Sequence, residues 1–148
     1  MDKKQLPKTT NPLVVRTDFE HQQAWETIYK LIRAPVSAPG ARFHAHVQFL
    51  EDVAFRELDS EQLLMRVPSD YNHPFLIVVD NTTVIHPEFP ILIIDLSGHR
   101  GRSFRAIPSA IQSVENNLSI SNMDFAEFAD ATDEDGIFRG FPQALPGV

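Results

Sequence analysis

Three apolar runs of this 148-residue chain end in, or close to, an aspartate: Asp18 after LVVRT, Asp80 after FLIVV and Asp95 within ILIIDL. In open α/β sheets ligands gather beyond the carboxyl ends of parallel strands. Carboxylates delivered there hold Mg²⁺, which polarises a substrate oxygen and activates water. Asp18, Asp80 and Asp95 are therefore the candidate catalytic set of a divalent-metal-dependent hydrolase or phosphotransferase. The same residues also have local explanations. An aspartate in a first helical turn complements the helix dipole, and one before Asn81 and Thr82 suits a turn. Spacing discriminates between the two: the link from Asn81 to Pro90 is about ten residues, at or below the length of a parallel crossover. If the runs 75–80 and 91–96 are antiparallel, Asp80 and Asp95 fall at opposite edges of the sheet.

Other patterns are weaker. His44 and His46 form an H-x-H pair that, on one strand face, suits zinc or nickel, but no third ligand is identifiable and alternation with an apolar face describes a solvated strand equally well. Arg100 and Arg102, on either side of Gly101 and shortly after Gly98, make with Arg105 the one dense basic spot, a candidate cradle for a phosphate or carboxylate. The glycine spacing there matches neither a P-loop nor a dinucleotide fingerprint. Asn116, Asn117 and Asn122 suit a polar recognition site, or simply a helix end. Asp133, Asp135 and Gly136 resemble part of a calcium loop, but with Gly136 at the sixth position Ala131 takes the first and Pro142 the twelfth, where oxygen ligands are needed. None of the serines sits in a G-x-S-x-G elbow.

Composition narrows the field. With 43% hydrophobic and 22% charged residues, the chain is an ordinary globular sequence long enough for one core. The net charge of −7 argues against nucleic-acid binding and favours a basic partner. The absence of cysteine excludes disulfides, a thiol nucleophile and iron–sulfur clusters. No apolar run approaches a membrane span and MDKKQLPKTT has no signal-type core, so a cytoplasmic location is expected, with no membrane partner.

The elements that must position these residues are legible in outline. Residues 1–12, polar and broken by proline, read as a flexible arm, and 13–148 as a single domain with an acidic carboxyl-terminal segment. LVVRTDF predicts a strand, followed by a helix from Glu20 to Ala34 with Trp25, Ile28, Leu31 and Ile32 inward and a capping box of Thr17 and Glu20. A turn at VSAPGA and a half-buried strand carrying Phe43, Ala45, Val47 and Phe49 follow. Asp59 and Gln62 form a capping box for a short helix stopped by Pro68, with an extra turn over 53–57 before it. FLIVVD and ILIIDL read as the centre of the sheet. SGHRGR joins 91–96 to 103–108 in an antiparallel hairpin, a helix follows from Pro108, and Ser121 with Asp124 opens another to about Ala131. Ile137, Phe138 and Phe141 dock the end of the chain.

Three stretches, LVVRTDF, FLIVVDNTTVIHPEFPILIIDL and VENNLSISNMDFAEFADATDEDGIFRGF, resemble a family of bacterial proteins grouped as a domain of unknown function, over about Leu6 to Phe141. The resemblance implies a single domain and carries over no activity, cofactor, partner or catalytic residue.

The sequence thus predicts an α/β domain built on a mixed sheet of about five strands with two to four flanking helices. The leading functional expectation is a non-enzymatic protein-binding domain, adaptor or immunity-like, that offers Asp130, Asp133, Glu134 and Asp135 to a basic partner and needs no cofactor. The alternatives are the metal-dependent enzyme on Asp18, Asp80 and Asp95 and a small anionic-ligand binder using Arg100, Arg102 and Arg105.

Overall fold

The computed structural model describes residues 3–38 and 41–141. Its elements run β1 (Leu13–Arg16), α1 (Gln22–Arg33), β2 (Val36–Ala38), β3 (Ala41–Phe43), β4 (Gln48–Leu50), α2 (Ser60–Leu64), β5 (Phe75–Val79), α3 (Asn81–Ile85), β6 (Ile91–Asp95), β7 (Ser103–Ala106), α4 (Ile111–Ser119), α5 (Phe125–Ala129) and β8 (Ile137–Phe138). Six strands form one mixed sheet in the order β4-β1-β5-β6-β7-β8, and β2 with β3 form a separate hairpin. The fold is α/β, as the periodicities predict. The sheet exceeds five strands because Ile137 and Phe138 pair parallel to β7. The helices exceed four because Asp80 caps a short turn of helix where only a turn is expected.

The two continuous apolar runs are the centre of the sheet for a simple reason. Every residue of β5 and β6 is buried, since side chains alternate between faces and both faces are covered. Val14, Ile77 and Val79 point into one core with Trp25, Ile28 and Ile32 of α1, and with α4 and α5. Leu13, Val15, Leu76 and Val78 point into the other with Phe55 and with Leu63 of α2. β5 and β6 are antiparallel, with Phe75 opposite Asp95. β6 and β7 form the expected antiparallel hairpin.

Local signals fare unevenly. The Asp59–Gln62 box forms as expected, with both arms at 2.9 Å, and residues 53–55 make the extra turn. Thr17, however, caps nothing. Its amide donates to Val79 O at 3.0 Å, extending the β1–β5 ladder, and α1 starts later, after His21. Leu31 is 43% exposed because the inward stripe of Trp25, Ile28 and Ile32 is narrow and Leu31 lies about 100° around the helix from Ile32. Ser121 adopts a left-handed φ of 56° while its amide closes α4, so the box that opens α5 is Asp124 with Glu127, the Asp124 amide donating at 3.1 Å. The alternating stretch 43–49 is not one strand. β3 pairs with β2, β4 joins the main sheet, and 44–47 bridges them, with Ala45, Val47 and Phe49 packed on the core. Pro39 and Gly40 of the expected turn lie outside the described residues.

The segment expected as an arm lies against the body. Leu6 is 2% exposed in the second core, its amide donates to Arg66 O at 2.7 Å, and Lys4 pairs with Asp52. Leu6→Ala is therefore expected to lower stability by roughly 2–4 kcal/mol in urea unfolding. A free arm would leave it unchanged.

Candidate functional site

β1 connects outward to β4, while β5 connects to β6 on its other side. The connections diverge where these two parallel strands meet, the position at which an open α/β sheet leaves a crevice beyond its carboxyl ends. A cavity of about 360 Å³ lies there, walled by Thr17, Asp18 and Glu20 after β1, by Glu57, Leu58 and Asp59 before α2, and by Asp80, Asn81 and Thr82 after β5. Glu57 is held at its lip in a left-handed conformation, φ 60°, by its amide bond to Thr17 O at 2.8 Å.

Asp18 and Asp80 meet at this end, as strand-end carboxylates on parallel neighbours must. Both are saturated by the chain itself. Asp18 is 7% exposed and accepts the Glu20 amide at 3.1 Å, His21 Nδ1 at 3.0 Å and Asn81 Nδ2 at 3.1 Å, so it braces the β1–α1 link to α3. Burial opposes its charge, but these donors outweigh burial and hold the carboxyl below the usual aspartate range. Asp80 caps α3 through the Thr83 amide and hydroxyl, and takes a two-pronged bond from Arg105 at 2.9 and 2.8 Å. Its burial likewise opposes ionisation, yet the Arg105 bonds and charge, with Thr83, leave its carboxyl lowered.

Asp95 is elsewhere. Opposite Phe75 in the antiparallel pair, it stands five residues of strand from Asp80, roughly 16 Å at 3.3 Å per residue. The three aspartates therefore share no metal centre, and among the described residues no three His, Asp or Glu side chains are grouped as ligands. Asp95 is instead the hub of its own hairpin loop. At 1% exposure it accepts the amides of Ser97 and His99, at 3.0 and 3.2 Å, and Arg102 Nη2 at 3.2 Å.

The three arginines of the expected anion cradle diverge. Arg105 goes to Asp80, Arg102 goes to Asp95 and the Phe125 ring, and Arg100 donates to Leu96 O. His44 and His46 lie in the bridge between β3 and β4, not on a strand. The bridge is tied to α4: the His46 amide donates to the buried Glu115, whose other oxygen accepts Ser119 Oγ at 2.6 Å, and Asn116 Nδ2 donates to His44 O at 2.9 Å. Asn117 and Asn122 finish α4 locally, Asn122 Nδ2 donating to Asn117 Oδ1 at 2.8 Å.

In the carboxyl-terminal acidic segment Asp130 and Glu134 are exposed. Asp133 and Asp135 are engaged by Arg139, which also grips Glu88 at 2.7 and 2.8 Å and ties this segment to the α3–β6 link. The three carboxylates hold the Arg139 proton well above its ordinary affinity.

Sequence reasoning missed His21, Asn81 and Glu57. Asn81 follows a candidate aspartate and His21 stands three residues beyond another, so proximity alone was a usable signal for both. Nothing local marks Glu57, whose backbone is fixed by a partner forty residues earlier.

A family model described as a domain of unknown function, DUF6924, matches residues 11–141. The chain belongs to the DUF6924 family. No curated protein matches it. In this DUF6924 chain, no helix among the described residues is long and apolar enough to cross a membrane.

Proposed function

We propose that this DUF6924 domain is a cytoplasmic, non-enzymatic protein-binding module, adaptor or immunity-like, that meets a basic partner with the acidic end of its sheet. The observation that carries this reading is the segregation of charge. β1, β4 and β5 run parallel, so Asp18, Glu20, Glu51, Asp52, Glu57, Asp59 and Asp80 all follow their carboxyl ends. Most of the cations found there are already paired: Lys4 with Asp52, Arg16 with Glu51 at 3.6 Å, and Arg105 with Asp80 at 2.8 Å, which leaves Arg56 as an exposed cation outside the ion pairs among the described residues. A predominantly acidic surface steers a basic protein and rejects acidic ones. Asp130 and Glu134 extend the acidic character at the carboxyl-terminal segment, while Arg139 partly neutralises Asp133 and Asp135.

The test is capture of a partner from native lysate at low salt by wild type and by the exposed-site double variant Glu20→Lys/Glu57→Lys. The expected result is a partner retained by wild type, released as salt rises towards roughly 0.5 M, and bound about tenfold or more weakly by the variant. Equal retention by both would place binding away from this end, and no salt-sensitive partner would sink the reading.

A further inference from the structure

The two faces of the sheet are covered unequally. One carries α1, α4 and α5. The other is covered by the five-residue α2, only about 7 Å long at 1.5 Å per residue, by the turn at Phe55, by the segment carrying Val67 and Tyr71, and by the amino-terminal Leu6. The core on that side draws on β1, β5 and β6 but on no residue of β7, whose residues facing it, Ser103 and Arg105, are polar. The uncovered strip is a largely polar cavity of about 440 Å³ between α2 and the loop at Asp135 and Gly136, with Leu58 and Leu92 at its surface and the buried Leu63 and Val78 beneath them. It shares Leu58, Asp59 and Asp80 with the crevice at the β1–β5 boundary, so the two cavities adjoin.

Its charges mostly cancel within the chain. Arg105 is taken by Asp80, and Asp135 is bonded to Arg139 at 3.1 and 2.7 Å. Asp59 is different: one oxygen accepts the Gln62 amide at 2.9 Å, and it joins none of the ion pairs among the described residues. A short apolar strip at Leu58 and Leu92 beside a carboxylate outside the internal ion pairs is complementary to an aliphatic stem ending in a positive charge.

We propose that this cavity seats a lysine or arginine side chain of the basic partner, with the stem along Leu58 and Leu92 and the cationic head at Asp59. The assignment rests on the basic-partner reading above and adds the site and the chemistry of its anchor.

The test is a methyl and amide NMR titration with capped Gly-Arg-Gly and Gly-Lys-Gly peptides, the citrulline peptide as an uncharged isostere, and n-butylammonium. Asp59→Asn provides the variant, because asparagine preserves the helix cap while removing the charge. The expected result is saturable shifts at the Leu63, Val78 and Leu92 methyls with the charged peptides, and at least tenfold weaker binding both of the citrulline peptide and by Asp59→Asn. Equal binding of the citrulline peptide, an unchanged Asp59→Asn, or no saturable shift would overturn the proposal. Because n-butylammonium is a lysine side chain without its backbone, it should shift the same methyls as Gly-Lys-Gly, and its failure to do so would overturn the stem-and-head assignment. Shifts confined to Thr17, Asn81 and Thr82 would overturn the cavity assignment yet leave the basic-partner reading intact, so the two fail separately.

Discussion

Asp80→Ala is expected to cost the fold roughly 2–4 kcal/mol, because it strands a half-buried guanidinium and uncaps a helix in one step. Arg105 donates through both terminal nitrogens to Asp80, with further bonds to Pro90 O and the Thr83 hydroxyl. The pair links β7 to the end of β5 across the intervening β6. Removing the carboxylate leaves the cation with carbonyl and hydroxyl acceptors only, and leaves the Thr83 amide without its cap. Urea unfolding at neutral pH measures the loss. Arg105→Leu added to Asp80→Ala should restore part of it, since deleting both charges removes the uncompensated one. The sign of the pH dependence follows from the lowered folded-state carboxyl. Its contribution is complete above the unfolded-state value of about 4 and is lost as pH falls through the lower folded value. The stability gap between wild type and Asp80→Asn should therefore be widest near neutrality and shrink on acidification to about pH 2. A gap that persists in acid would mean the stabilisation does not come from the ionised carboxylate.

What could be read from the sequence divides along the range of the interactions concerned. The central position of FLIVV and ILII was legible because covering a strand on both faces demands apolar residues at every position. The Asp59–Gln62 cap was legible because it closes within four residues. The ambiguity over Asp80 and Asp95 was correctly located in the length of the 81–90 link, and the antiparallel pairing resolves it. Long-range partners were not legible. Nothing near Arg105 in the chain indicates that it leaves the basic loop of Arg100 and Arg102 for Asp80, 25 residues earlier. Likewise the alternation from Phe43 to Phe49 records which side chains meet the core, without revealing that the backbone leaves one sheet and enters another. Thr17 and Glu20 had cap spacing, but β5 claims the Thr17 amide first. The candidate site inherits this division. Its carboxylates were visible at once, whereas their saturation by Asn81, His21 and Arg105 depends on which strands are neighbours.

That difference bears on function as well as fold. A strand-end aspartate that serves a metal must keep lone pairs free for the ion, whereas Asp18, Asp80 and Asp95 each accept at least three bonds from their own surroundings. They act as struts that fix the loops around the crevice. On the proposed reading, the carboxylates that would meet a partner are those on the exposed rim, Glu20, Glu57 and Asp59, which join none of the ion pairs among the described residues.

Phe128→Ala is expected to be the most damaging single truncation in the carboxyl-terminal third, at roughly 3–5 kcal/mol. α5 has only five residues, far too few to hold a helix by its own hydrogen bonds, so its rings must hold it. Phe128 is fully buried, stacked on Phe104 at 6.2 Å and edge-on to Phe138 at 5.2 Å, and Phe125 meets the same Phe104 ring at 5.0 Å. Phe104 belongs to β7 and Phe138 to β8, so one side chain joins the last helix to the last two strands. The cavity left by alanine should therefore loosen β8 as well as α5. Hydrogen exchange reads this directly: the amides of Arg105 and Ile107, which donate to Gly136 O and Phe138 O, should lose protection well before those of β5. Phe141→Ala is the control, because that ring touches Phe128 and Phe138 yet remains 40% exposed, and its loss should cost about 1 kcal/mol or less. If Phe128→Ala leaves the Arg105 and Ile107 amides as protected as those of β5, β8 is held by its backbone ladder alone and the aromatic cluster is not what docks the end of the domain.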